Sequence, residues 1–255
     1  MTEVKAKKFL GQHFLTDENI AAKIVESLSP DTQRVLEIGP GMGVLTKYLI
    51  SRANTDFHVV EIDRESVAYL QGHYPTLDVI EGDFLKYDLT TLFHDSFSII
   101  GNFPYNISSQ ILFKVYDNRE KVTEVVGMFQ KEVAERVAAG PGSKTYGILS
   151  VLLSAFYNIE YLFTVHEHVF NPPPKVKSAV IRLRRNNVNH LECDEKLFVQ
   201  VVKAGFNQRR KTLRNALRQL NLPLDNIGED TLAKRAEQLS VEQFIEITKN
   251  IQSCM

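Results

Sequence analysis

Apolar residues follow two rhythms along this chain. Short apolar runs closed by Gly, Pro, Asn or Asp alternate with stretches where apolar residues return at helical spacing. The runs 34–38, 57–63, 77–84, 97–100, 122–129, 159–165 and 179–183 predict strands. Between them the spacing predicts helices over 18–28, 64–72, 107–116, 131–139 and 146–156. In the first of these Ile20, Ile24, Val25 and Leu28 share a face and Asp17 stands where a cap belongs. Strand–helix alternation of this kind implies an α/β domain with a mostly parallel sheet. Residues 1–15 are too broken by glycine and polar residues to predict a regular element. After Arg185 the pattern changes. Asn186-Asn187-Val188-Asn189-His190 reads as a linker, and 194–255 reads as helices only, with breaks at Pro223 and Gly228. Two domains follow, over 1–186 and 187–255.

Composition narrows the class. A hydrophobic content of 44% in 255 residues is enough for a sizeable core. No apolar run has the length of a membrane span, and Lys5, Lys7, Lys8 and Phe9 do not open a signal peptide. Cys193 and Cys254 form no metal or redox motif, and the histidines show no metal spacing, so no metal is expected. His166 and His168 read as surface residues. A reduced, cytoplasmic protein is the expectation. The net charge of −1 hides segregation. No acid occurs from Lys196 to Leu224, against seven basic residues that include Arg209, Arg210, Lys211 and Arg214. The stretch from His168 to Leu191 is also free of acids. Such zones suit an anionic partner or form a solvated helix face.

Candidate chemistry collects at predicted strand ends, the edge where open α/β sheets bind ligands. Glu37-Ile38-Gly39-Pro40-Gly41-Met42-Gly43 leads from strand through a glycine turn toward a helix. The third glycine falls one residue early for a dinucleotide fingerprint, which favours a nucleoside ligand over a pyrophosphate. Glu61 ends the second strand, placed for two ribose hydroxyls, and Asp63 is placed to cap the next helix. Asp83 and Phe84 end the third, where a carboxylate can accept from an adenine amine and a ring can cover the base, or Asp83 is a turn aspartate. The fourth runs into Gly101-Asn102-Phe103-Pro104-Tyr105. There an amide, the carbonyl of Phe103 or of Pro104 held extended beside the proline, and an aromatic ring suit an exocyclic amine; turn chemistry is the alternative. The loop Val169–Ser178 carries Phe170, read as exposed, beside Lys175 and Lys177.

In chain order the pieces are Gln12-His13-Phe14-Leu15, Glu37 to Gly43, Glu61-Ile62-Asp63, Gly82-Asp83 and Asn102-Phe103-Pro104-Tyr105. Together they resemble the S-adenosylmethionine-dependent rRNA adenine N6-methyltransferases. Phe170-x-Pro172-x-Pro174-x-Val176-x-Ser178 and the segment Phe206–Asn215 are similar to the small-subunit rRNA dimethyladenosine transferase family. The resemblance runs from about Phe9 to Ala216. Two positions depart from the family's usual residues: Phe103 stands where leucine is usual, and His13 where asparagine is common.

The resemblance implies a Rossmann-like seven-stranded methyltransferase domain with a small helical C-terminal domain that binds RNA or the ribosome. It implies S-adenosyl-L-methionine as cofactor, its methionine end near Gln12, His13, Leu15, Gly39 and Gly41. Ribose would meet Glu61 and Ile62, adenine Asp83 and Phe84, and Asn102 would lie beside the sulfonium. Asn102, the Pro104 carbonyl and Tyr105 would be catalytic. Phe14, Tyr105 and Phe170 would sandwich the target base, and Arg209, Arg210, Lys211 and Arg214 would hold RNA phosphates. The implied reaction is dimethylation of two adjacent adenosines in a hairpin near the 3′ end of 16S rRNA, within the 30S particle, by a monomer with no membrane partner. A large-subunit methyltransferase of the macrolide-resistance type is one alternative. A ribosome-assembly factor with secondary catalysis is the other.

Overall fold

A computed structural model describes residues 4–255. In chain order its elements are β1 (Phe14–Leu15), α1 (Glu18–Glu26), β2 (Arg34–Ile38), α2 (Thr46–Leu49), β3 (Asp56–Glu61), α3 (Arg64–His73), β4 (Asp78–Glu81), β5 (Phe97–Asn102), α4 (Ser108–Asp117) and β6 (Val122–Gln130). There follow α5 (Lys131–Val137), α6 (Ile148–Ser154), β7 (Tyr157–Val165), β8 (Phe170–Asn171), β9 (Ser178–Arg185), α7 (Glu195–Asn207), α8 (Leu213–Leu217), α9 (Glu229–Ala233) and α10 (Val241–Gln252).

Seven strands form one mixed sheet in the order β4-β3-β2-β5-β6-β9-β7. The β2–β3, β3–β4, β2–β5 and β5–β6 pairs are parallel, and β9 runs antiparallel to β6. The central strands are apolar on both faces, as a sheet covered on both sides requires. In β5 every residue from Phe97 to Gly101 is buried, and β6 is nearly continuous likewise. Edge strand β4 has no fully buried residue. Helix starts follow local capping. Asp17 accepts from Ile20 N–H at 3.0 Å, and Asp63 accepts from Glu65 N–H at 3.2 Å, its expected role. The helix expected after the glycine turn shrinks to Thr46–Leu49. Gly39, Gly41 and Gly43 all hold positive φ, which keeps the chain turning until Leu45.

The structure adds a second, two-stranded sheet. β1 pairs antiparallel with β8, Phe14 opposite Asn171 and Leu15 opposite Phe170. No regular element was expected in the first fifteen residues, and a two-residue pairing partner 155 positions away leaves no local periodicity. Leu15 and Phe170 then join Ile24, Leu45, Ile100, Met128 and Val180 in a buried cluster.

The chain divides into two compact units. One comprises 1–134 and 159–185; the other comprises 135–158 and 186–255. The expected boundary near 186 therefore omits a segment. Residues 135–158 lie between strands in sequence but pack with the C-terminal helices. The reason is α6, where Leu149, Val151, Leu152 and Leu153 are all buried, and which packs on α7 and α10. Inside that unit Phe206 lies between the rings of Tyr146 and Phe244, at 5.7 and 5.9 Å. Asp194 caps α7 through Leu197 N–H at 2.7 Å, and Ser240 and Gln243 form a capping box on α10.

Candidate active site

A cleft opens at the C-terminal edge of the parallel strands. Its empty space is about 930 Å³ with the open mouth included, the size class of small-molecule sites. Its walls come from residues 10–14, the β2 end with Gly39 and Gly41, the β3 end with Glu61 and Ile62, 82–85, and 102–107. Five separate stretches of sequence thus converge on one strand edge.

Glu61 is 3% exposed. Gly41 N–H donates to its Oε2 at 3.0 Å and Asp63 N–H to its Oε1 at 2.8 Å. Burial raises its pKa, and those two N–H groups oppose the rise. Each carboxylate oxygen retains a lone pair, so both can accept from a vicinal diol. Asp83 lines the cleft with one oxygen accepting from Leu85 N–H at 2.9 Å. Phe84 is buried against the same turn, and half-exposed Ile62 faces the cleft. Gly41 leaves room for an aromatic ring: a Cβ there would stand 2.8 Å from Phe14 Cε1.

Lys114 on α4 secures this turn. Its ammonium donates to the carbonyls of Phe84 at 2.6 Å, Leu85 at 3.1 Å and Tyr87 at 2.5 Å. It also lies 5.0 Å from the Phe84 ring centroid. Burial lowers its pKa, opposed by Asp83 and Asp88.

The N-terminal stretch is strapped across the cleft. Lys7 Nζ reaches Asp63 at 2.5 Å and Glu65 at 3.1 Å. Gln12 accepts from Lys7 N–H at 2.8 Å and donates to Asp63 at 3.1 Å. Burial pushes the Asp63 carboxyl up, but the bonds from Lys7 and Gln12 outweigh it and its pKa falls below the usual value. His13 Nδ1 bonds the Pro172 carbonyl at 2.8 Å, and its ring stacks on Tyr105 at 5.3 Å. Gln12, His13 and Phe14 line the cleft. Leu15, expected to join them, instead packs in the core and touches only a smaller adjoining cavity.

Asn102 ends β5. Its amide nitrogen donates to the His13 carbonyl at 2.8 Å. A carbonyl can only accept, so this contact fixes which end of the amide is the donor. Oδ1 is left as an acceptor at the cleft. Pro104 does not supply the second acceptor expected of it. Its carbonyl turns back into the start of α4, where Ile107 N–H donates at 3.3 Å and Ser108 Oγ at 3.1 Å. Among the described residues nothing donates to the Phe103 carbonyl. Phe103 borders the cleft although the residue as a whole is only 1% exposed. The Tyr105 hydroxyl meets Ser178 Oγ at 2.5 Å, which anchors the ring at the wall.

Phe170 is not the exposed aromatic that its loop suggested. It is 4% exposed and faces the core, because β8 pairs with β1. The arginine-rich segment also divides. Arg209 is occupied within its own unit, bonding Glu237 at 2.7 Å and the carbonyls of Ser143 and Lys144. Arg214 pairs with Glu229 at 2.5 Å yet stays exposed, while Arg210 and Lys211 are exposed.

Three features escaped the sequence reading. Asn106 borders the cleft directly after the Asn102–Tyr105 motif, and Ile38 and Val60 form its floor. Glu37 is 1% exposed; it accepts from Thr46 Oγ1 at 2.7 Å and borders the small cavity beneath Asn102. Burial pushes its pKa up to about 8. Its place in the glycine motif was visible, but burial is a tertiary property. Among the described residues no cluster suits a metal ion, and no helix is long and apolar enough to cross a membrane.

The family model for ribosomal RNA adenine dimethylase matches residues 3–253. A protein from Cytophaga hutchinsonii named ribosomal RNA small subunit methyltransferase A is 63% identical over 97% of this chain and 98% of its own length. One of the same name from Bacteroides thetaiotaomicron is 57% identical over 100% and 97%. Among solved structures, a dimethyladenosine transferase from Plasmodium falciparum superposes with a TM-score of 0.80 at 26% identity, covering 94% of this chain and 98% of that one. The 23S rRNA methyltransferase ErmE gives 0.70 at 26% identity, covering 94% and 99%. With a Rossmann-like sheet, a ligand cleft at its strand ends and a match across nearly the whole sequence, this chain belongs to the ribosomal RNA adenine dimethylase family.

Proposed function

We propose that the protein dimethylates the N6 amines of two adjacent adenosines in a 3′-terminal hairpin of 16S rRNA, within the 30S particle. S-adenosyl-L-methionine is the cofactor, and the substrate places the work in the cytoplasm of a bacterium. The observation that carries this reading is the acceptor pair at the β5 end: Asn102 Oδ1, oriented by the His13 carbonyl, and the unengaged Phe103 carbonyl one residue on.

The cleft fits the cofactor. Glu61 suits a ribose diol, Asp83 and Phe84 suit an adenine edge and face, and the Gly39–Gly41 turn leaves space that a side chain would fill. The bound cofactor supplies an electrophilic methyl group. The residues around it do the rest by position. Adenine N6 shares its lone pair with the ring and is a poor nucleophile. Two acceptors that take its N–H groups favour a pyramidal nitrogen, with the lone pair directed into the cleft. Pro104 holds Phe103 extended and so aims that carbonyl. Tyr105 and Phe14 offer faces for an extruded base, whose stacking is worth about 1–3 kcal/mol. Fixed dipoles in a partly dry site also stabilise positive charge as it develops on nitrogen. No titratable base is needed, because the alkylated amine sheds its proton readily.

In the helical unit, Arg210, Lys211 and Arg214 are offered to RNA phosphates. Arg209, held by Glu237 and the carbonyls of Ser143 and Lys144, anchors the segment that carries them. The protein acts as a monomer. The test is mass spectrometry of 16S rRNA from undermethylated 30S particles after incubation with labelled donor. Wild-type protein gives two dimethyladenosines, and Asn102→Ala gives none while still binding cofactor. Label in 23S rRNA instead would establish the large-subunit reading. Normal particle assembly in a strain carrying only Asn102→Ala, against defects in a null strain, would put the binding role first.

A further inference from the structure

We infer that Phe9 is an RNA-stacking residue at the mouth of the cleft, taking a nucleobase next to the target adenine. The inference rests on the rRNA-methylating function above. Phe9 is 77% exposed, against 4% or less for Phe84 and Phe103, which border the cleft. A single exposed apolar side chain is ordinary, but this one is held in place. It sits in a 3-10 turn closed by Leu10 N–H to the Lys7 carbonyl and Gly11 N–H to the Lys8 carbonyl, both at 3.0 Å. Gly11 ends the turn at φ +67°, and a Cβ there would stand 2.7 Å from Asn106 Oδ1. Asn106 Nδ2 also reaches the Phe9 carbonyl at 3.4 Å. The turn is thus tied to the loop that bears Asn102 and Tyr105.

Phe9 lies outside the cleft although Leu10 and Gly11 line it, so neither the cofactor nor the extruded base is its partner. The flanking charges indicate what is. Lys7 is paired with Asp63 and Glu65, while Lys5 and Lys8 are exposed and form no ion pair among the described residues. An outward ring preceded in the chain by two exposed lysines is the pattern that binds single-stranded nucleic acid, base on ring and phosphate on cation. Extruding the target adenine strips its neighbour of a stacking partner. A ring fixed beside the entrance replaces that partner.

The chain contains no tryptophan, so Phe9→Trp creates a single reporter. With wild-type protein active on 30S particles, Phe9→Ala should raise KM for the particle roughly tenfold. Its Kd for cofactor should stay unchanged, and Phe9→Trp should restore KM. Emission of the Phe9→Trp protein should be quenched by 30S particles and not by cofactor. An unchanged KM in Phe9→Ala, or quenching by cofactor alone, overturns the inference. Inactivity of the wild-type protein on 30S particles would refute the proposed function instead.

Discussion

Gly127→Ala offers a sharp test of how the sheet supports the Asn102–Tyr105 loop. Gly127 lies in β6, paired with Gly101 of β5. A Cβ on Gly127 would stand 2.3 Å from Phe103 Cε2 and 2.6 Å from Phe129 Cε2. A Cβ on Gly101 would stand 2.6 Å from Phe103 Cε1 and 2.7 Å from the Ile38 carbonyl oxygen. The Phe103 ring therefore rests on two glycines, where the family usually has leucine. Overpacking of this kind costs about 1–3 kcal/mol, and at roughly 2–4 °C per kcal/mol the melting temperature of Gly127→Ala should fall by several degrees. The ring can escape only by lifting the chain between Asn102 and Pro104, so methyl transfer should fall with it. Phe103→Leu removes the nearest clashing atom, Phe103 Cε2, and leaves the contact with Phe129. The double variant Gly127→Ala/Phe103→Leu should then recover part of the stability lost by Gly127→Ala, with a coupling of about 1 kcal/mol in a double-mutant cycle. Gly101→Ala should not be rescued in this way, because the Ile38 carbonyl is backbone and stays. Calorimetry of the six proteins decides. Additive effects at Gly127 and Phe103, or equal rescue of both glycine variants, would refute the argument that Phe103 sits where it does because these glycines admit it.

Three further expectations concern single groups. Glu37 holds its proton in the fold to about pH 8 and loses it near 4.5 when unfolded, so the folded state binds more protons between those values. Its contribution is complete below about pH 4.5 and lost as pH rises through about 8; Glu37→Gln should therefore remove a decline on the order of 3–5 kcal/mol from the urea-derived stability profile, and a wild-type-to-variant difference that ignores pH would count against it. Tyr146 is 1% exposed, its hydroxyl has no hydrogen-bond partner among the described residues, and burial pushes its pKa up to about 12. Tyr146→Phe should be neutral or stabilising by about 1 kcal/mol, and a loss above that in denaturant melts would reveal a partner for the hydroxyl. Lys114→Met should leave three carbonyls of the 84–87 turn without a donor and weaken cofactor binding about tenfold or more in calorimetric titration, with KM for the particle unchanged; unaltered cofactor affinity would mean that Lys114 does not set that turn.

Much of this was written locally. The seven strands could be read because buried parallel strands are apolar runs punctuated by turns, and Glu61, Asp83 and Asn102 stood out as polar residues at their ends. What could not be read depends on distance or on backbone direction. Phe170 looked exposed because its burial is created by Leu15, 155 positions away. The Pro104 carbonyl looked available until Ser108 and Ile107 were seen to take it. Arg209 belonged to a basic run, yet its partners Glu237, Ser143 and Lys144 lie far along the chain. Residues 135–158 were grouped by sequence order, whereas α6 is apolar all round and needs helical neighbours.

The strap over residues 7–15 owes its place largely to isolated polar bonds, with partners from Asp63 to Pro172, and no helix or long ladder shares the load. Segments tethered in that manner open more readily than the sheet beneath them. Amide exchange should accordingly be faster here than in β5 or β6, and slow when the cleft is filled. The protein's affinity for its small ligand thus contains the free energy of closing this strap, and ligand occupancy decides whether the rim proposed to meet RNA is in order.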